Sequence, residues 1–245
     1  MSKPPLLQLQ GVSKHFGGVT ANENVTFHVG QGEIVGLIGP NGAGKTTLFS
    51  LISGFLKPNS GSIYFNGANI TGKQPDVICK SGLTRTYQIV KPFQDMTVME
   101  NIMVASFAHT YKVKKAKEIA QDIIELTGMK HKTAAFGREL TIAEKKRLEL
   151  SRALATNPQL LLLDEVMAGL TPAETHEAVE LIHKISKRVT LLIIEHVMEV
   201  IMPISHRVVV LDMGKVICID QPDKVAKDER VIKAYLGEKA YASRS

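Results

Sequence analysis

"LLQLQGV" and "NVTFHV" read as strands, the second alternating apolar and polar positions in period two, and the glycines of "FGGV" separate the two runs. That pattern predicts an antiparallel pair of strands at the start of the chain. "EIVGLI" is a short apolar run that ends in a glycine-rich loop, and "KTTLFSLISGF" then places apolar residues at helical spacing, with Gly54 as the stop. "GSIYFNG" predicts a strand entering a hairpin turn at Asn66-Gly67. From about residue 97 to 155 the period becomes helical. In "KKAKEIAQDIIELTG" the residues Ala116, Ile119, Ala120 and Ile123 share a face, and Gly128 closes the helix. Strand signals return in "LLLLDE", "VTLLIIEH" and "HRVVVLD", with the helical "PAETHEAVELIHKIS" between the first two. Fully apolar strands alternating with helices predict a buried, mainly parallel sheet. Asp212-Met213-Gly214 then predicts a hairpin to "KVICID".

Composition narrows the class without choosing a function. A chain of 245 residues with 44% hydrophobic content can bury a sizeable core. "MSKPPLLQLQ" lacks the apolar centre of a leader, and no apolar run approaches the roughly 18 residues of a membrane span, so a soluble, unexported chain is expected. Cys79 and Cys218 have no CxxC spacing, which argues against a disulfide framework or a zinc site. Thirty basic against 24 acidic residues is compatible with binding anions and says no more. Lys112, Lys114, Lys115 and Lys117 alternate with an apolar helix face, which reads as solvated surface, and no nucleic-acid partner is expected.

Chemistry concentrates in two places. "GPNGAGKTT", residues 39 to 47, fits G-x-x-x-x-G-K-[ST]. Glycines at 39, 42 and 44 let the backbone of Gly39, Pro40, Asn41, Gly42, Ala43 and Gly44 turn its N–H groups toward phosphate oxygens, and the helix that follows adds its positive end. Lys45 then reaches the β- and γ-phosphates, Thr46 ligates Mg2+, and Thr47 completes the run. The second place is Asp164 and Glu165, at the carboxyl end of a fully apolar strand where ligands gather in parallel sheets. Asp164 is the candidate for holding Mg2+, and Glu165 for orienting the attacking water.

Taken in order, these residues resemble the ATP-binding cassette family over essentially the whole chain. The resemblance implies a P-loop ATPase core with a mainly parallel sheet, an N-terminal antiparallel β subdomain and an inserted helical subdomain. It further implies one ATPase domain over residues 1–245, with the helical part at about 89–155. Gln88 in "RTYQ" stands where the family places a glutamine that senses Mg2+ and the attacking water. His196, after "VTLLIIE", matches the switch histidine that bonds the γ-phosphate, and Phe16 the aromatic that stacks on adenine.

"LTIAE", residues 140 to 144, occupies the signature position, more usually LSGGQ, whose helix start closes on ATP held by a second subunit. Thr141 and Glu144 have capping-box spacing, so the same residues also read as an ordinary helix cap. Thr141 keeps the expected hydroxyl, while Ile142 and Ala143 replace two glycines. Val166 stands where proline is usual, and "AGLT" ends in threonine where aspartate or asparagine is more common. Lys145, Lys146 and Arg147 follow the helix start, where each cation opposes the macrodipole by about 0.3 to 1 kcal/mol, so nearby anions or a solvated charged face are expected.

Within the family, "FGGVTANENVTFHV", "RTYQIVKPFQDMTVMEN" and "VIKAYLGE" are similar to ATPase subunits of branched-chain amino acid importers. That similarity implies an ATP- and Mg2+-dependent hydrolase of a transporter for such amino acids or a related small polar solute. The expected partners are membrane permease subunits, a second ATPase subunit identical or not, and a solute-binding protein indirectly. The expected place is the cytoplasmic face of the inner membrane. Two alternatives from other classes stand beside it: the ATPase of a lipid or lipopolysaccharide exporter, and a soluble cassette ATPase acting on nucleic acid.

Overall fold

The computed structural model describes residues 4–87 and 90–236. In chain order the elements are β1 (Leu7–Phe16), β2 (Val19–Val29), β3 (Ile34–Ile38), α1 (Lys45–Ile52), β4 (Ser60–Phe65), β5 (Ala68–Asn69) and α2 (Pro75–Lys80). They continue with β6 (Leu83–Arg85), α3 (Val98–Ser106), α4 (Val113–Leu126), α5 (Ile142–Ala155), β7 (Leu160–Asp164) and α6 (Pro172–Ser186). The last are β8 (Thr190–Ile194), α7 (Met198–Ile204), β9 (Arg207–Asp212), β10 (Lys215–Asp220), α8 (Pro222–Val225) and α9 (Glu229–Leu236). They divide into two compact units, residues 1–75 with 190–245, and residues 76–189.

The first unit carries an antiparallel sheet in the order β2-β1-β4-β5. Its β4–β5 hairpin turns at Asn66 and Gly67, both at positive φ, as their dipeptide predicts. The same unit holds strands in the order β10-β9-β3-β8, of which β8, β3 and β9 are parallel. β3 and β8 are buried along their whole length, which is why both read as unbroken apolar runs rather than alternations. Met213 and Gly214, also at positive φ, close the β9–β10 hairpin.

In the second unit β6 lies parallel to β7, and α3, α4 and α5 pack around Val98, Ile102, Ala120, Ile124 and Leu148. The buried stripe of α4 is Ala116, Ala120 and Ile124, with Ile119 and Ile123 half-buried beside it. The expected face is the one that packs against the core, with Ile124 added to it as its most buried large side chain. Gly128, at positive φ, follows the helix end as expected. Six-residue α2, three-residue β6, the 3-10 turns at Lys130–Lys132 and Gly137–Glu139, and the short α7, α8 and α9 had no prediction. α2, β6, α8 and the 3-10 turns are too short to display a period, and α7 contains Pro203; length does not explain α9, which equals α1 in length.

Candidate functional site

In the first unit β3 runs straight into the phosphate loop. Gly39 is at φ 150° and Gly44, the N-cap of α1, at φ 98°. A side chain is excluded at both: a Cβ on Gly39 would lie 2.0 Å from the Leu211 carbonyl oxygen, and one on Gly44 2.2 Å from that of Ala21. Gly42, at φ 82°, has nothing within 4 Å on that side. The loop is pressed against β2 and β9 at its ends and open at its crown, where Asn41 and Gly42 are exposed. Lys45 is buried and donates to the Gly39 and Pro40 carbonyls at 2.6 and 2.9 Å, arching the ammonium back over the loop. Thr46 is exposed at the first turn of α1, and Thr47 and Pro40 are half-buried.

The hairpin turn after β9 seals the loop's base. Gly214 N–H donates to the Ala43 carbonyl at 3.1 Å, and the Gly214 carbonyl accepts from Glu23 N–H at 2.9 Å. His196 is exposed two residues past the end of β8, whose Ile194 pairs with Leu37 of β3. His196 and the phosphate loop therefore leave the same edge of two adjacent parallel strands. Phe16 ends β1 with 47% of its surface exposed, and the Lys14 ammonium lies 5.1 Å from its ring centre. Gln88 lies outside the described residues.

In the second unit Asp164 is 2% exposed, and its Oδ2 accepts from Arg85 Nη2 at 2.7 Å, in an ion pair whose side chains are 7% and 3% exposed. The Asp164 amide donates to Thr86 Oγ1 at 3.2 Å. Glu165 follows in the left-handed region at φ 50°, a conformation that a non-glycine residue seldom adopts without a surrounding that holds it. Lys146 of α5 supplies part of that hold: it donates to the Glu165 carbonyl at 3.4 Å and to the Ala168 carbonyl. Arg147 pairs with Glu177 at 2.7 Å. Two of the three cations near the start of α5, Lys146 and Arg147, thus meet carbonyls and a carboxylate of their own chain.

Thr141 is the N-cap of α5 in a full capping box: Glu144 N–H donates to Thr141 Oγ1 at 3.2 Å and Thr141 N–H to Glu144 Oε2 at 2.9 Å. Glu144 also pairs with Lys132 at 3.0 Å. Burial works against its ionisation, but the Thr141 amide and Lys132 outweigh it and hold the carboxyl below the usual range. Ile142 is 69% exposed, so its side chain projects into solvent, and Ala143 is half-buried. Thr171, the residue that departs from the usual acidic or amide one, caps α6 in a second capping box with Glu174.

No feature of the sequence points to the partners of Arg85 and Lys146. A single arginine on a three-residue strand carries no spacing signal, and Lys146 was visible only as one cation of a run.

Comparison with known proteins decides among the readings. The family model described as ABC transporter matches residues 22–168. The chain belongs to the ATP-binding cassette family.

A second model, described as branched-chain amino acid ATP-binding cassette transporter, matches residues 215–241 of this cassette. The high-affinity branched-chain amino acid transport ATP-binding protein LivG of Salmonella typhimurium is 37% identical, over 96% of this chain and 98% of that one. The corresponding BraF of Pseudomonas aeruginosa is 36% identical over the same shares. A crystal structure of a nucleotide-free ATP-binding cassette from an ABC transporter superposes with a TM-score of 0.86 at 30% identity, covering 96% of this cassette and all of its own chain. The cassette has the expected fold: a P-loop ATPase core with a mainly parallel sheet, an antiparallel β portion and inserted helices. It is an ATP-binding and ATP-hydrolysing transporter subunit, with ATP and Mg2+ as the family's cofactors. Among the described residues no helix is long and apolar enough to cross a membrane.

Proposed function

We propose that this cassette hydrolyses ATP for an importer of branched-chain amino acids or a related small polar solute. The observation that carries the solute class is the similarity to LivG and BraF along almost the full length of both chains, together with the C-terminal match to the branched-chain family model. On this reading it sits peripherally on the cytoplasmic face of the inner membrane, beneath permease subunits and beside a second ATPase subunit, with a solute-binding protein reached only indirectly. Residues 1–245 act as one ATPase domain with its helical portion at about 89–155.

The residues present suit a nucleotide with its cation. Glycines that exclude side chains at the loop's ends, an open crown and a buried ammonium favour a polyphosphate. The Thr46 hydroxyl, the Asp164 carboxylate and Gln88 are hard oxygen donors of the kind Mg2+ prefers. When bound, Mg2+ neutralises charge on the β- and γ-phosphate oxygens.

The protein's own part follows from its geometry. The backbone of Gly39, Pro40, Asn41, Gly42, Ala43, Gly44 and the first turn with Thr47 receives the phosphates, and Lys45 exchanges two loop carbonyls for phosphate oxygens. Phe16 offers an exposed ring face for adenine. Glu165 orients and polarises water, Gln88 senses it, and His196 holds the γ-phosphate from the edge shared with the loop. Thr141 and Ala143 complete the site of the second subunit, whose binding of ATP closes the pair and whose hydrolysis reopens it.

The test is uptake of labelled leucine in cells lacking this subunit. Wild-type chain is expected to restore it, and Lys45→Met or Glu165→Gln to fail. Leucine, valine and isoleucine uptake that is indifferent to the subunit would remove the solute assignment. Undiminished hydrolysis by purified Glu165→Gln would remove the catalytic one.

A further inference from the structure

Asn22 stands on the inward face of β2, whose other buried positions are Val25, Phe27 and Val29. A bulge turns it there: between the pairs Val12–Val25 and Lys14–Asn22, β2 carries one residue more than β1, and Asn24 within it is at φ 50°. Asn22 is fully buried, and its Nδ2 donates to the Gly44 carbonyl at 3.3 Å. The opposite orientation of the amide would set two oxygens face to face at that distance. Among the described residues nothing donates to its Oδ1.

An apolar residue would suit this face without leaving an oxygen unpaired. A buried carbonyl with no donor costs more than one neutral hydrogen bond returns, so stability does not account for Asn22. Nor does the Gly44 carbonyl need a second donor, because it already accepts from Leu48 N–H at 2.9 Å as the first bond of α1. The amide is explained by what it steadies.

Gly44 is the N-cap of α1 and receives no side-chain cap bond, which leaves the first amides of the helix for a ligand. In the planar trans peptide between Gly44 and Lys45 the C=O and N–H point in opposite directions, so whatever fixes one aims the other. The strand beneath is itself pinned on both sides of Asn22. A Cβ on Gly44 would lie 2.2 Å from the Ala21 carbonyl oxygen and 2.7 Å from Asn22 Nδ2, and Glu23 N–H donates to the Gly214 carbonyl at 2.9 Å. We infer that Asn22 is a positioning residue for ATP binding: it grips the Gly44 carbonyl from beneath and so aims the Lys45 amide at the phosphates. This rests on the reading that residues 39–47 receive those phosphates.

The experiment compares Asn22→Leu with the wild-type chain by fluorescent-nucleotide displacement, steady-state ATP hydrolysis and urea unfolding. The variant is expected to weaken ATP binding and raise KM by about three- to tenfold, with kcat changed far less. Its urea midpoint is expected to stay level or rise, because the unpaired oxygen leaves with the amide. Asn22→Ala, which also lacks the donor and adds no bulk, is expected to show the same shift in KM. Val25→Ala, on the same face of the strand, marks how a merely structural residue behaves: a lower urea midpoint with ATP affinity kept. ATP affinity unchanged in either Asn22 variant, or a loss of affinity that Val25→Ala reproduces, would overturn the inference. Lys45→Met separates it from the reading beneath it. If that variant binds ATP as tightly as wild type, the phosphate-loop reading fails and the role of Asn22 with it. If it binds weakly while Asn22→Leu binds normally, only the role of Asn22 fails.

Discussion

At the residue scale, the ion pair between Arg85 and Asp164 has the largest expected stake. Both side chains are buried, so removing one leaves a charge with no water to solvate it. Arg85→Met should lower stability by about 3 to 5 kcal/mol, read as a fall in the urea midpoint, and Arg85→Met with Asp164→Asn should recover much of that loss. Simple addition of the two losses would show that the pair is not coupled. Gly39→Ala sets a Cβ 2.0 Å from a main-chain oxygen and forces the loop to move. Its expected effect is a drop in ATP affinity of at least about tenfold, equivalent to roughly 1.4 kcal/mol, measured by fluorescent-nucleotide displacement. Lys146→Met should leave that affinity unchanged and slow hydrolysis by about tenfold, because the carbonyls of Glu165 and Ala168 lose their shared donor and the left-handed Glu165 is held less firmly.

At the scale of elements, three helices begin in the same way. α3, α5 and α6 start with a threonine whose hydroxyl accepts from the N3 amide and a glutamate, Glu100, Glu144 or Glu174, whose carboxylate accepts from the cap amide. These carboxyls lie below the ordinary value of 4.5, for Glu100 and Glu174 because of the backbone bond to the cap and for Glu144 despite its burial. A depressed folded pKa stabilises fully above the unfolded value and loses that contribution as pH falls through the folded one. Urea midpoints should therefore decline from about pH 4.5 downward, and replacing all three glutamates with glutamine should flatten that limb. A decline of unchanged slope would place the acid sensitivity elsewhere.

The long elements were legible for a physical reason. β3, β7 and β8 are buried on both faces, and α6 spans the residues its Thr171 cap and Pro172 announce, so burial and capping both leave marks in sequence. β6 was not legible, since three residues cannot show alternation, and with it went Arg85. The phosphate loop was readable because glycine is required where backbone oxygens approach within about 2 Å of an imagined Cβ. Lys146 was not, because the carbonyls it meets belong to residues 165 and 168, whose turn no periodicity describes.

On the scale of the molecule, the question is whether one copy can close on another. The helix start at Thr141 is already capped by its own Glu144, and an exposed Ile142 stands beside it. Sedimentation of Glu165→Gln with Mg-ATP should show a pair that disappears without nucleotide if this start still grips a partner's ATP. A monomer under those conditions, with ATP bound, would assign the other half to a sister subunit.

The bond from Gly214 to Ala43 also orders events in time. The loop of residues 39–47 leaves the ribosome well before the turn at Gly214 that hydrogen-bonds to it. A nascent chain should therefore hold nucleotide poorly until Gly214 has emerged, which nucleotide retention by chains stalled before and after that residue would check.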